Sequence, residues 1–396
     1  MSNGGTAGAG SNWVSQASRV GVVVSGGAPT LHLAAGALCA FYERQVSFDV
    51  VGTSGAGALP ALLYMAPKGG DPVTALKRVV DVNIFDAIYR LIPSNFKVFF
   101  KYGPFSQLFW QLGQTIPHFK LPPEDRYSHP ARRLVNDWID LVTAVVTPTT
   151  LNYWSKAVLT RVRVVDDLVD WAALKTHPKN FFLNAFSFKT RALELFDKTT
   201  MLPEAFYAAL AMPWLYAPTE FNSILYTEGA SHDPSGIEAL EKNGPPSLLN
   251  LDAIVMLDTI GPELWTDPES LYEALELAIL DPIVTLNENV AAFYALQEHF
   301  FNLHPPPTLA KFYRLPFDIP SWERGKLLEW SYSNALTLWD IGHQAATTFC
   351  DDFPAPLRPA EKYRHIDTIK PESRAADFLK LFGIPLPQGP ASGGGP

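Results

Sequence analysis

The chain has 396 residues, 47% of them hydrophobic and 18% charged, and a formal net charge of −9. That size and composition suit one elaborated α/β domain or two close-packed ones and exclude a globally disordered chain. The acidic balance, with no block of Lys and Arg to override it, excludes a nucleic-acid partner and disfavours purely electrostatic attachment to anionic lipid, while apolar contact with lipid stays open.

Residues 1–17 read as a flexible lead, rich in Gly and Ser and without the basic-then-apolar pattern of a signal peptide. "RVGVVVSGG" (19–27) predicts a buried strand entering a tight turn, and "TLHLAAGALCAFYER" (30–44) has helical composition. "VSFDVVGTSG" (46–55) predicts a second strand and "AGALPALLYMA" (56–66) a second helix. This alternation predicts an α/β fold with a parallel sheet and crossover helices. Residues 72–157 read as a helical cap inserted into the domain, and the aromatic-rich segment 84–119 is its most unusual part. Any one of its aromatics is expected in a core. Together, beside Lys97 and Lys101, they suit a membrane-facing or acyl-lined surface.

The sheet pattern resumes at "KNFFLNAFSFKTRALELFDK" (179–198), read as two strands around a polar turn. A helical stretch broken by prolines follows (202–221), then a short strand entering a loop, "SILYTEGASHDP" (223–234), and another buried strand, "LNLDAIVMLDTI" (249–260). Residues 267–302 and 322–349 carry long helical patterns, and the Pro/Gly-rich tail 385–396 is expected to be disordered. No apolar run is long enough for a transmembrane helix, so the expected location is the cytoplasm, with peripheral membrane contact through 84–119. Cys39 and Cys350 suggest neither a disulfide framework nor a metal site, and no EF-hand-like loop appears; no cofactor or metal is expected.

"VVGTSGAGAL" (50–59) places one hydroxyl, Ser54, among residues with almost no side chain, just after a strand. A sharp strand-to-helix turn would lift that hydroxyl clear of the backbone, and Gly52, Gly55 and Ala56 are small enough to allow it. The N–H groups of the following helix favour negative charge at the same spot. "SGGAPTLHLAAGAL" (25–38) sets two glycines between a strand and a helix, freeing backbone donors for an oxyanion hole; one such donor is typically worth about 3 kcal/mol in the transition state. A nucleotide-binding turn is the rival reading, but neither G-x-G-x-x-G nor G-x-x-x-x-G-K-[ST] occurs. A serine also needs a base. His32, His232 and His343 are conceivable partners, with His232 the best placed of them. Glu228, before Gly229 and Ala230, could take the proton directly if burial raises its pKa.

Taken together, "SGGAPTLHLAAGAL", "GTSGAGAL" and "YTEGASHDP" resemble, in kind and order, the oxyanion turn, G-x-S-x-G and D-G-[GA] segments of the patatin-like phospholipase family. The lead-in "AALAMPWLYAPTEF" (208–221) resembles the segment that precedes the family's acidic motif, and the likeness spans roughly residues 18–260. The resemblance implies a three-layer α/β/α sandwich over 18–384 and a Ser–Asp dyad that cleaves glycerolipid acyl esters. By position, Ser54 is then the nucleophile, Glu228 the dyad carboxylate, and Gly26, Gly27 and Ala28 the oxyanion donors. This chain departs from the pattern at Ala28, at Thr30 and Leu31 (where the family has Arg and Gly), at Ala56 and at Glu228, while Pro29 has no N–H to offer. The expected function is a serine-dependent lipid acyl hydrolase acting on a lipid or other acyl ester. The alternatives are an impaired lipid- or partner-binding protein on the same scaffold, or an acyltransferase using the same serine.

Overall fold

The computed structural model describes residues 20–114, 129–161, 165–237, 251, 253–265, 267–268, 271–303, 311–324 and 326–352. The expected N-terminal lead (1–17) and C-terminal tail (385–396), and residues 115–119 of the aromatic segment, lie outside the described residues.

The centre is an eight-stranded, mostly parallel sheet. Its strands are β1 (Val20–Val24), β2 (Val50–Thr53), β5 (Asn180–Ser187), β6 (Ala192–Asp197), β7 (Thr219–Phe221), β8 (Ile224–Glu228), β9 (Ala253–Leu257) and β10 (Lys311–Leu315). The other two, β3 (Phe99–Lys101) and β4 (Leu159–Arg161), pair with each other, β3 within the expected 72–157 insertion and β4 just after it. β10, β9, β1, β2 and β5 run parallel in that order, and β6, β7 and β8 join antiparallel.

The side-chain alternation of a strand explains the layers. Val20, Val22 and Val24 of β1 enter the main core, whereas Val23 packs on the opposite face with Met256, Ile237 and Phe312. The main core is filled by helix α1 (Leu31–Glu43), helix α2 (Ala58–Met65), the helix Pro203–Ala209 and the helix Tyr332–Asp352. Helices on both faces of a mostly parallel sheet are the α/β/α sandwich that the alternating pattern and the resemblance implied.

The insertion has a small core of its own, built from Ile84, Ile88, Phe96, Phe100, Leu141 and Ala144. The two lysines of the aromatic segment 84–119, Lys97 and Lys101, are held by the protein's own groups. Lys97 is buried against Asp137 at 2.6 Å. Lys101 turns inward to the carbonyls of Val145 and Thr147, at the end of the helix Pro130–Val146. An ammonium group satisfied by carbonyls and a carboxylate is part of the fold rather than a headgroup contact. Among the described residues, no helix is long and apolar enough to cross a membrane.

Candidate active site

The site forms where two strands meet end to end. β2 and β8 both lie on the edge of β5 opposite β6, β2 along 180–183 and β8 along 185–187. They run toward each other, so Thr53 stands opposite Leu183 and Glu228 opposite Ala185. Asn184 occupies the register position between them. The chain leaving β2 and the end of β8 are thereby forced together, which answers why residues so distant in sequence share a site.

The turn falls one residue later than the motif suggests. Ser54 stays extended (φ −134°, ψ 145°), and the reversal occurs at Gly55, with φ +46°. A left-handed backbone favours glycine. Gly57, two residues on, sits where any Cβ would collide with the Ser25 carbonyl. The run from 53 to 57 therefore supplies the tight turn and the close approach from Gly55 and Gly57, leaving Ser54 before the turn. Its hydroxyl does not project into solvent as the sequence reading expected. Ser54 is fully buried, and Oγ lies 2.9 Å from Asn184 Oδ1 and 2.8 Å from the Asp233 carbonyl. Asn184 Nδ2 donates to the same carbonyl at 2.9 Å, which fixes the amide orientation. Both oxygens near Ser54 can accept a hydrogen bond, and neither can take the proton as a base.

Glu228 instead faces Gly55. A Cβ placed on Gly55 would lie 2.8 Å from Glu228 Oε1, 3.0 Å from Ala230 Cβ and 3.5 Å from Gly26 Cα. The structure thus brings together Gly26, Gly55, Glu228 and Ala230, and it forms no hydrogen bond between Ser54 and Glu228. Burial pushes the Glu228 carboxyl up to about 7, with Arg161 pulling the other way. Of the expected oxyanion donors, the Gly26 N–H is taken by the Pro234 carbonyl at 2.9 Å. Gly27 is half-buried and Ala28 exposed, and their N–H groups have no acceptor among the described residues.

The three histidines are engaged elsewhere. His32 is buried between the Pro29 carbonyl (2.6 Å) and Asn83 (2.7 Å), and desolvation lowers it to about 4. His232 stacks on Phe186 with ring centroids 4.0 Å apart. His343 pairs with Glu43 at 2.7 Å and stacks on Trp339. His343, Glu43 and Cys39 are the one set among the described residues whose donor atoms gather as a metal site would, within 4.8 Å. Glu43 there is already held by His343 and Lys77.

The family profile for patatin-like phospholipases matches residues 22–240, more than half of the chain. The chain belongs to the patatin-like phospholipase family. Membership of this family of lipid acyl hydrolases implies lipid hydrolase activity. Among solved structures, the crystal structure of VipD from Legionella pneumophila is similar, with 13% identity and a TM-score of 0.31 over 93% of this chain and 77% of that one. No curated protein matches the chain.

The three segments that follow the patatin-like order in sequence converge in space, and the left-handed turn among them falls on Gly55 rather than on Ser54. Sequence reasoning missed Asn184, Asp233 and Arg161. For Asn184 a signal existed: one amide within the apolar run "FFLNAF" of a buried strand, where a polar side chain must find a partner.

Proposed function

We propose that this chain hydrolyses lipid acyl esters with Glu228 as general base and water as the attacking group. One observation carries the reading: Glu228 Oε1 lies 2.8 Å from the point where an elbow residue at 55 would carry its Cβ. The scissile carbonyl lies over Gly55, with its oxygen toward the Gly27 and Ala28 N–H groups. Glu228 takes a proton from water as the water oxygen bonds to the carbonyl carbon. The two N–H groups hold the resulting oxyanion. On collapse the ester C–O bond breaks, and Glu228 returns the proton to the departing alcohol. The products are a free fatty acid and an alcohol. A carboxyl poised at about 7 suits a general base at neutral pH.

The Ser54–Glu228 dyad would require the Ser54 hydroxyl to give up Asn184 and Asp233 for Glu228. Ser54→Ala and Glu228→Gln, assayed on short-chain p-nitrophenyl esters and phospholipid vesicles, separate the two mechanisms. Water attack expects turnover retained in the first variant and lost in the second. Loss in Ser54→Ala would restore the dyad. A second reading, lipid binding without turnover, is favoured by the glycine at the turn; wild type that binds vesicles but releases no fatty acid would decide for it.

Lipid contact is assigned to the insertion. Phe105, Leu108 and Leu112 are exposed on and beside the helix Ser106–Gln114, as are Val135, Trp138 and Val142 on the helix Pro130–Val146. Positions 135, 138 and 142 share one helical face, the arrangement by which an amphipathic helix rests on a lipid surface.

A further inference from the structure

Cys39 and Glu43 stand four residues apart on α1 and so share one of its faces. His343 reaches them from the helix Tyr332–Asp352. The two helices cross at backbone contact: a Cβ on Gly36 would collide with the Trp339 carbonyl, and one on Gly342 with the Leu33 carbonyl. That crossing carries His343 to Glu43, with Nε2 2.7 Å from Oε2, although 300 residues separate them in sequence. Cys39 Sγ lies 3.7 Å from Glu43 Oε1. The three donor atoms gather within 4.8 Å. The imidazole is held in place, because it stacks on Trp339, whose Nε1 donates to the Leu76 carbonyl at 3.1 Å. A thiol buried for packing alone needs no polar partner; this one is aimed at a carboxylate beside an imidazole. Glu43 ends α1 and the oxyanion turn precedes it, about 20 Å away along the helix, so the cluster is separate from the proposed reaction.

We propose that Cys39, Glu43 and His343 bind one zinc ion, with water in the fourth position, and that the ion joins the two helices where they cross. The donor set decides the ion: a thiolate and an imidazole favour zinc over the hard cations magnesium and calcium, which take oxygen ligands. One thiolate and one carboxylate balance the charge of a dication. Tetrahedral zinc with bonds of about 2.0–2.3 Å needs donors about 3.3–3.8 Å apart, so the Cys39–Glu43 spacing fits and the His343–Glu43 pair opens by about 0.6 Å. Cys39 is buried, whereas Glu43 and His343 are partly exposed, so the ion enters from the solvent side of the crossing. Burial pushes the Cys39 thiol up to about 12, so the thiol keeps its proton until the ion binds. The proton then leaves to water as sulfur bonds to the metal. The Lys77 ammonium, 3.2 Å from Glu43 Oε1 and half-exposed, swings into solvent as the ion takes its place.

The test titrates the full chain, freed of metal by a chelator, first with cobalt(II) as a coloured stand-in and then with zinc. Wild type should bind one cobalt ion and show the sulfur-to-cobalt charge-transfer band in the near ultraviolet, and zinc should abolish that band while excess magnesium or calcium leaves it. The chain has two cysteines, Cys39 and Cys350, so Cys350→Ser should keep the band and Cys39→Ser should lose it. In calorimetry, Cys39→Ser should weaken zinc binding by about 10²-fold, and Glu43→Gln and His343→Gln each by about 10-fold or more. Glu43 and His343 are partly exposed, so their variants keep the test decisive if Cys39→Ser does not fold. Wild type without the sulfur band would overturn the inference, and so would a band that survives Cys39→Ser. Zinc binding undiminished in both Glu43→Gln and His343→Gln would mean an adventitious ion only and would overturn it as well.

Discussion

Putting a serine at the turn is the most direct test of where the turn lies. Gly55→Ser adds a Cβ 2.8 Å from Glu228 Oε1 and 3.0 Å from Ala230 Cβ, at a backbone φ of +46°. The first contact is with the free end of a flexible side chain and relaxes cheaply. The second needs a shift of a few tenths of an ångström, and the left-handed backbone costs a non-glycine residue about 1–2 kcal/mol. The single variant should therefore fold with a loss of about 2 kcal/mol. Pairing it with Glu228→Asp withdraws the carboxylate by about 1.5 Å and opens room for the new hydroxyl. A fluorophosphonate labels only activated serines. The expected outcome is no label on Ser54 in wild type and a stoichiometric label on residue 55 in the paired variant, located by peptide mass mapping. Stoichiometric labelling of Ser54 in wild type would refute the reasoning, and so would a folded paired variant that stays unlabelled.

Ser54→Ala should change ester turnover less than about threefold but lower stability by about 1–3 kcal/mol in denaturant melts, because Asn184 and the Asp233 carbonyl lose their buried donor. The kcat/KM of wild type should rise with pH through about 7 and level off above it, as the Glu228 carboxylate forms; a midpoint near the ordinary glutamate value of 4.5 would show that another group is the base. The same raised pKa fixes a sign for stability: the folded state holds this proton more tightly than the unfolded one, so the contribution is full below about 4.5 and is lost as pH rises to about 7. Glu228→Gln should therefore gain on wild type by the order of 3 kcal/mol between pH 4 and pH 8 in urea melts, while losing turnover by about 10²-fold or more. Leu108→Glu with Val142→Glu should weaken binding to neutral phosphatidylcholine vesicles at least several-fold in flotation assays without lowering turnover of a soluble ester; unchanged flotation would remove the insertion as the lipid contact.

Much of the sheet was legible because its strands are short apolar runs bounded by turn residues. β1, β2, β5, β6, β8 and β9 all fall inside the stretches that pattern predicts. β10 was not read, since "KFYRL" mixes charge with apolar residues and follows a proline run. The last long pattern, read over 322–349, divides into the short helix Ser321–Arg324 and the helix Tyr332–Asp352. From the first turn of the second helix, Asn334 Nδ2 donates back to the Lys326 and Glu329 carbonyls and so ties down the intervening segment, an arrangement that composition cannot foretell. At the site, three small-residue segments in the right order sufficed to place the residues together. Their register did not follow, because "GTSGAG" satisfies both G-x-S from Gly52 and turn-x-Gly from Gly55. Only the backbone decides between them: Ser54 stays extended with its N–H on the Val24 carbonyl at the end of β1, and the left-handed turn follows at Gly55.

The two departures at the centre are one steric event. A glycine at the turn removes a hydroxymethyl group, and a glutamate in place of aspartate adds one methylene on the opposite wall. Glu228 Oε1 stands 2.8 Å from the missing Cβ, so the longer acid reaches into the space that the absent side chain leaves. Glycine with a shorter acid would leave a polar hole, and serine with the longer acid obliges the carboxylate to shift. On the proposed reading, the pair keeps a carboxylate at the turn and leaves no hydroxyl there to act as a covalent nucleophile. If the pair is coupled in this way, the stability changes of Gly55→Ser and Glu228→Asp should be non-additive, the second relieving the first by about 1 kcal/mol in a double-mutant cycle. Strict additivity would mean that the two residues do not share that space.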